Sequence, residues 1–101
     1  SGGFNVYPQA IEDAVIQHPS VAEVLAIGVP DPYLGEAAKA FVVLKRGAEE
    51  FTLEALKAFL ADRLGRHEMP RILAFRAELP KTSVGKYSRK LLRNQELGKG
   101  A

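Results

Sequence analysis

A lysine set directly behind a glycine, Gly85-Lys86, stands in the stretch "PKTSVGKYSRKLLR" of residues 80–93, with two hydroxyl residues, Thr82 and Ser83, just ahead of it. An ammonium group on a polar turn beside a helix N-terminus can grip a phosphate or carboxylate supplied from outside. The stretch is not a nucleotide loop of the pattern GxxxxGK followed by Ser or Thr. Pro80 occupies the first glycine position, and Tyr87 follows the lysine. On composition alone, the ordinary account of Lys86 is a solvated turn charge. A second pair of small residues, Gly2 and Gly3, precedes Phe4, Val6 and Tyr7. Such a start reads as a short edge strand or hairpin arm whose bare backbone another chain or a ligand can approach closely, or simply as an edge-strand bend.

The elements that must carry these residues follow from periodicity. Residues 8–18 predict a short helix: Pro8 suits the first helical position, Glu12 and Asp13 lie near the positive end of the dipole, and Ile11, Ala14, Val15 and His18 share a face. Pro19 stops it. The nearly unbroken apolar run from Val21 to Val29 predicts a strand covered on both faces. Residues 37–45 predict a second strand, with Ala38, Ala40, Val42 and Leu44 on one face and Lys39 and Lys45 on the other. The short, turn-rich link "PDPYLGE" between them makes the two antiparallel neighbours. A helix over 53–64, with Thr52 as N-cap, places Leu53, Leu56, Phe59, Leu60 and Leu64 in one stripe, and Gly65 ends it. Residues 71–77 predict a third strand, parallel to its neighbour because a helix intervenes. The last helix is expected to begin at Lys86 or Tyr87 and to carry Leu91 and Leu92 inward. The expected fold class is α+β, a small mixed three-stranded sheet covered by about three helices with an N-terminal edge strand or hairpin.

Composition narrows the chemistry. A chain of 101 residues, 47% apolar and 26% charged, fits one globular domain. A domain of that size offers little interior for a deep pocket, so a catalytic cleft calls for a second body. The start at Ser1 rather than methionine reads as an excised fragment. The absence of cysteine and the presence of only two histidines, His18 and His67, speak against a bound metal. No apolar run approaches a membrane span or a signal-peptide core, which reads as a soluble, intracellular chain. The net charge of +2 conceals an asymmetry, with a balance of −4 over residues 1–60 and +5 over residues 80–101. The C-terminal end would attract an anion.

In order, "GGFNVYPQAIED", "HPSVAEVLAIGVPDPYLGEAAKAFVV" and "ELPKTSVGKYSRKLLR" resemble the C-terminal domain of the adenylate-forming acyl-CoA synthetases, most of all the long-chain fatty-acid-CoA ligases. The resemblance covers almost the whole chain. It implies that residues 1–97 form a mobile lid domain, with 98–101 as a flexible tail, on a large N-terminal adenylation domain outside this chain. It implies an enzyme that couples a fatty acid to ATP, giving acyl-adenylate and pyrophosphate, and then passes the acyl group to coenzyme A with release of AMP. ATP and Mg2+ would be bound mainly by the N-terminal domain, with coenzyme A as a substrate. By the same resemblance, Lys86 is the adenylation lysine, and Gly2 and Gly3 line the channel for the pantetheine arm. The isolated fragment is expected to be inactive. The implied location is cytoplasmic, with peripheral association at the membrane surface as an alternative.

Other positions read as structural or stay open. Gly35 and Glu36 of the "PDPYLGE" loop, Tyr7 and Phe4, and His18 read as structural or packing residues. Arg71, Arg89 and Arg93 are open to coenzyme A phosphates but equally to plain solvation. "HEMP" at residues 67–70 departs from the family's usual Tyr-Lys before the proline and puts in doubt any coenzyme A or interdomain contact made there. Two competing functions remain: a basic module whose final helix binds nucleic acid or acidic lipid, and an adenylating enzyme that loads a carrier-protein thiol. The ligase reading takes no nucleic acid as partner.

Overall fold

The tyrosine-proline step at Tyr7-Pro8 sets the first element. In a computed structural model that describes residues 6–98, helix α1 spans Pro8–Val15 with proline at its start. It stops earlier than the expected 18, because Gln17 and His18 donate to the carbonyls of Ala14 and Val15 at 3.2 and 3.0 Å and tighten the chain into a turn. Glu12 falls in the second turn, not the first, so the dipole is not what holds it. Ile11, Ala14 and Val15 are buried.

Strand β1, Val21–Asp31, pairs antiparallel with β2, Gly35–Leu44, from Val21 opposite Leu44 to Asp31 opposite Gly35. The connecting turn is made by Asp31, whose Oδ1 accepts the amides of Tyr33 and Leu34, both at 2.8 Å, while Gly35 takes φ +85°. Those bonds to the charged form lower the Asp31 pKa. Helix α2, Leu53–Leu60, starts at Thr52, whose Oγ1 accepts the Ala55 amide at 3.0 Å. It ends four residues before the expected Leu64, because the amides of Arg63 and Leu64 both turn back to the Leu60 carbonyl. Strand β3, Ile72–Phe75, lies parallel to β2, with Lys39 opposite Ile72 and Val42 opposite Phe75. It is shorter than 71–77, although Arg71 and Arg76 still donate to Ala38 and Val42 of β2. The sheet order is β1-β2-β3.

Alternation along the two long strands splits the interior. One face packs Val24, Ala26, Ala40 and Val42 against Ile11 and Val15 of α1 and Leu56 and Leu60 of α2. The other packs Leu25, Ile27, Val29 and Phe41 against Leu79 and Leu92. Leu92 belongs to a five-residue helix α3, Arg89–Arg93, that runs into a π-turn over Asn94–Gly98. Two predictions about this segment need correction. The helix begins at Arg89 rather than at Lys86 or Tyr87, because Ser88 Oγ accepts the Leu91 amide at 3.1 Å and caps it there. Only Leu92 is buried, and Leu91 is 38% exposed. The layers are therefore α1 with α2, then the sheet, then α3, an α+β fold as expected. The expected N-terminal edge strand, with Gly2, Gly3 and Phe4, lies outside the described residues, as does the tail beyond Gly98. Val6 and Tyr7 are not in a strand. Among the described residues, no helix is long and apolar enough to cross a membrane.

Candidate functional site

Lys86 sits on one arm of a hairpin, not at a helix N-terminus. Lys81 and Tyr87 bridge antiparallel, Thr82 N–H donates to Lys86 O at 2.7 Å, and Gly85 N–H closes the loop onto Thr82 O at 2.9 Å. Gly85 adopts φ +85°, the left-handed position that a three-residue hairpin loop requires. Thr82 Oγ1 accepts the Lys86 amide at 3.3 Å, so this hydroxyl serves the turn itself. Ser88 N–H donates to Pro80 O at 3.0 Å and ties the hairpin base to the start of α3.

The Lys86 side chain is exposed and has no carboxylate within ion-pair distance among the described residues. It borders an open recess of about 420 Å³ with Glu12, Val24, Leu25, Gly85, Tyr87 and Arg89. The neighbouring bases are engaged. Arg89 grips Glu12 through Nε at 2.8 Å and Nη2 at 2.5 Å. Glu12 raises the Arg89 pKa further, chiefly through that hydrogen bond. Arg93 donates to the Gly28 carbonyl and stands 3.7 Å from Glu36. Lys81 lies over the Tyr87 ring. Partial burial, and then the charge and hydrogen bonding of Glu23, raise the Tyr87 pKa. Thus Arg89 and Arg93 are internal fasteners in this fold, whereas Arg71 remains exposed.

A second cleft, about 290 Å³, lies where the chain emerges into α1. Val6, Tyr7, Ala38, His67, Met69 and Arg71 border it, and it shares no lining residue with the Lys86 recess. Gly2 and Gly3 immediately precede this segment but lie outside the described residues. The departing "HEMP" stretch is structural in part: Glu68 Oε1 accepts the Gly65 amide at 2.7 Å, and His67 meets the Tyr7 ring edge-on at 6.1 Å. His18 is a packing residue, stacked on Phe51 at 4.5 Å, with Nδ1 accepting the Ser20 amide. Gly35 and Glu36 shape the sheet: a Cβ on Gly28 would meet the Glu36 carboxyl at 2.8 Å. Among the described residues, no group of three or more His, Cys, Asp or Glu could hold a metal ion.

The sequence reading missed the Glu12–Arg89 bridge, which spans 77 positions. Nothing local signals it. Glu12 sits on an amphipathic helix, where an acidic residue is expected to face water, and only the docking of α3 across β1 brings Arg89 to it.

Comparison with known proteins fits this geometry. The family description "AMP-binding enzyme C-terminal domain" matches residues 10–86. A long-chain-fatty-acid–CoA ligase of Bacillus subtilis is 48% identical over 96 residues, covering 95% of this chain and 17% of that protein. One from Escherichia coli O6:H1 is 50% identical over 97 residues, covering 96% of this chain and 17% of that protein. The crystal structure of an acyl-CoA synthetase from Brucella canis superposes with a TM-score of 0.87 at 42% identity, over 100% of this chain and 19% of that one. The chain thus spans under a fifth of the length of these relatives. With its sheet, three helices and glycine-lysine hairpin all in place, the chain belongs to the AMP-binding enzyme C-terminal domain family.

Proposed function

We propose that this chain is the mobile C-terminal lid of an ATP-dependent fatty acyl-CoA ligase, with residues 1–97 as the moving domain and 98–101 as its tail. The single observation that carries the reading is the Lys86 ammonium, exposed on a hydrogen-bonded hairpin and, among the described residues, without a carboxylate in ion-pair range, while Glu12 in the same recess is held by Arg89. A lysine so held is available to an anion brought by another body.

In the first half-reaction, a fatty carboxylate oxygen attacks the α-phosphorus of ATP. The new O–P bond forms as the bond to the β-phosphate bridging oxygen breaks, and pyrophosphate leaves. Two anions must meet, and a cation between them offsets their repulsion as charge builds in the transition state. Lys86 supplies that cation. The lid then turns, and the stretch at Gly2 and Gly3 lines the passage for the pantetheine arm, where a side chain would obstruct it. The coenzyme A sulfur attacks the acyl carbonyl carbon, the mixed-anhydride C–O bond breaks, and AMP departs. The cleft bordered by Val6, Tyr7 and Met69, the first two of which follow this stretch closely in sequence, supports the reading. Mg2+ and most of the ATP contacts are assigned to the N-terminal domain on the family resemblance. We place the enzyme in the cytoplasm, with contact at the membrane surface a matter of its lipid substrate.

The competing polyanion-binding module draws on the +5 balance of residues 80–101. Internal pairing of Arg89 with Glu12 and proximity of Arg93 to Glu36 oppose it. Transfer to a carrier-protein thiol is tested by whether the full-length enzyme forms a thioester with coenzyme A alone. The decisive experiment is Lys86→Ala in the full-length enzyme. Acyl-adenylate formation should fall about a hundredfold or more, while thioester formation from supplied acyl-adenylate persists. Equal loss of both half-reactions overturns the assignment.

A further inference from the structure

The recess that holds Lys86 also holds a carboxylate, and the two are not paired. Glu12 has a side chain only 12% exposed. Its Oε2 accepts the Ala26 amide of β1 at 2.9 Å and Arg89 Nε–H at 2.8 Å, and its Oε1 accepts Arg89 Nη2 at 2.5 Å. Gln9 Oε1 accepts from the same Nη2 at 3.3 Å. A bidentate, charge-assisted grip of this kind fixes orientation as well as distance, and breaking one side of it leaves a largely buried charge unsatisfied.

The chain path from this grip to Lys86 is short. Arg89 is the first residue of α3, Ser88 N–H is bonded to Pro80 O, and Tyr87 bridges to Lys81. Leu79 before the hairpin and Leu92 after it are both buried in the core under the sheet. These two apolar anchors stop the hairpin lifting away. They do not fix its swing across β1, because apolar contacts are non-directional. The guanidinium-carboxylate fork is directional, and it reaches α1 and β1 at once.

We propose that Glu12 and Arg89 are a positioning pair for Lys86, orienting the hairpin base so that the ammonium is presented from a defined place during adenylation. The inference rests on the adenylation role of Lys86. The plain alternative is a staple that merely stabilises the fold. A staple acts on both half-reactions through the amount of folded domain, whereas a positioning pair acts on the step that Lys86 serves.

The test uses the full-length enzyme with Glu12→Gln, which keeps an acceptor for the Ala26 amide but loses the charge, and Arg89→Lys, which keeps the charge but loses the fork. Carboxylate-dependent exchange of labelled pyrophosphate into ATP reads adenylation. Both variants should lower its kcat about tenfold or more, since a displacement of about 1 Å at a reacting group can cost on the order of a hundredfold. KM for ATP and thioester formation from supplied acyl-adenylate should stay within about twofold of the parent. In a Lys86→Ala background, Glu12→Gln should add little further loss, because the two act through one group. Equal losses in both half-reactions, or independent losses in the Lys86→Ala background, overturn the positioning role. If Glu12→Gln does not fold, Arg89→Lys decides by the same readings. If Lys86→Ala is inactive in adenylation yet both pair variants are unimpaired, only the pair's role falls. If Lys86→Ala is itself active, the underlying reading falls with it.

Discussion

Gly85→Ala tests whether the hairpin geometry is conformational in origin. Gly85 has φ +85°, and a Cβ added there would meet no atom within 4 Å. Contacts with the rest of the fold therefore contribute nothing, and the whole effect is that of the local backbone. Left-handed backbone costs an L-residue about 1–2 kcal/mol, while alanine stabilises by about 0.4–1 kcal/mol through the lower entropy of its unfolded chain. The net destabilisation is about 0–1.6 kcal/mol, centred near 0.8 kcal/mol, which for a domain near 100 residues lowers Tm by a few degrees, at about 4–8 °C per kcal/mol. Gly85→Asn should lie nearer the parent, because asparagine tolerates the left-handed region better than alanine. Thermal unfolding of the three proteins side by side gives the order glycine, asparagine, alanine. In the full-length enzyme, the alanine variant should also lose adenylation, since the residue displaced by a relaxed loop is Lys86 itself. Alanine and parent indistinguishable in both Tm and adenylation would refute the claim that this turn depends on a left-handed glycine.

Two further outcomes follow from the packing. Leu92→Ala removes a side chain with no exposed surface from the core under α3 and should cost about 2–5 kcal/mol, read from urea midpoints; a cost under about 1 kcal/mol would mean that α3 is not anchored there. Burial lowers the His18 pKa below its usual value of 6.5. The unfolded chain then binds more protons below about pH 6.5, so His18's contribution is intact above that pH and diminishes as pH falls toward the folded pKa. His18→Gln should flatten the dependence of stability on pH between about 7 and 5, and an unchanged slope would remove His18 as its source.

Much of the scaffold was legible because burial imposes period. The unbroken apolar run of β1 faces two cores, and Ala38, Ala40, Val42 and Leu44 on one face with Lys39 and Lys45 on the other mark β2 as a strand, although only the structure shows Phe41 filling the second core. Thr52 announced α2 through an oxygen that does cap it. Helix ends were read too long at α1 and α2, since nothing in the side-chain pattern tells a last helical turn from the tighter turns that follow. The start of α3 was placed too early, at Lys86 or Tyr87, because the Lys81–Tyr87 bridge that holds both residues in a hairpin joins positions no local pattern links, and Ser88 caps the helix only after it.

Lys86 drew notice from its neighbours in sequence, Gly85 before it and Thr82 in the same turn, because a tight turn is a local object with local residue requirements. Whether that lysine is free was decided only by tertiary structure. Its competitors for an anion, Arg89 and Arg93, are turned inward by partners far away in the chain, Glu12 at a separation of 77 and the Gly28 carbonyl at 65. Short-range preferences of backbone and side chain are written in a few adjacent residues and can be read there. The pairing of charges across a folded interior depends on which surfaces the apolar layers bring together, and no window of the chain contains that information.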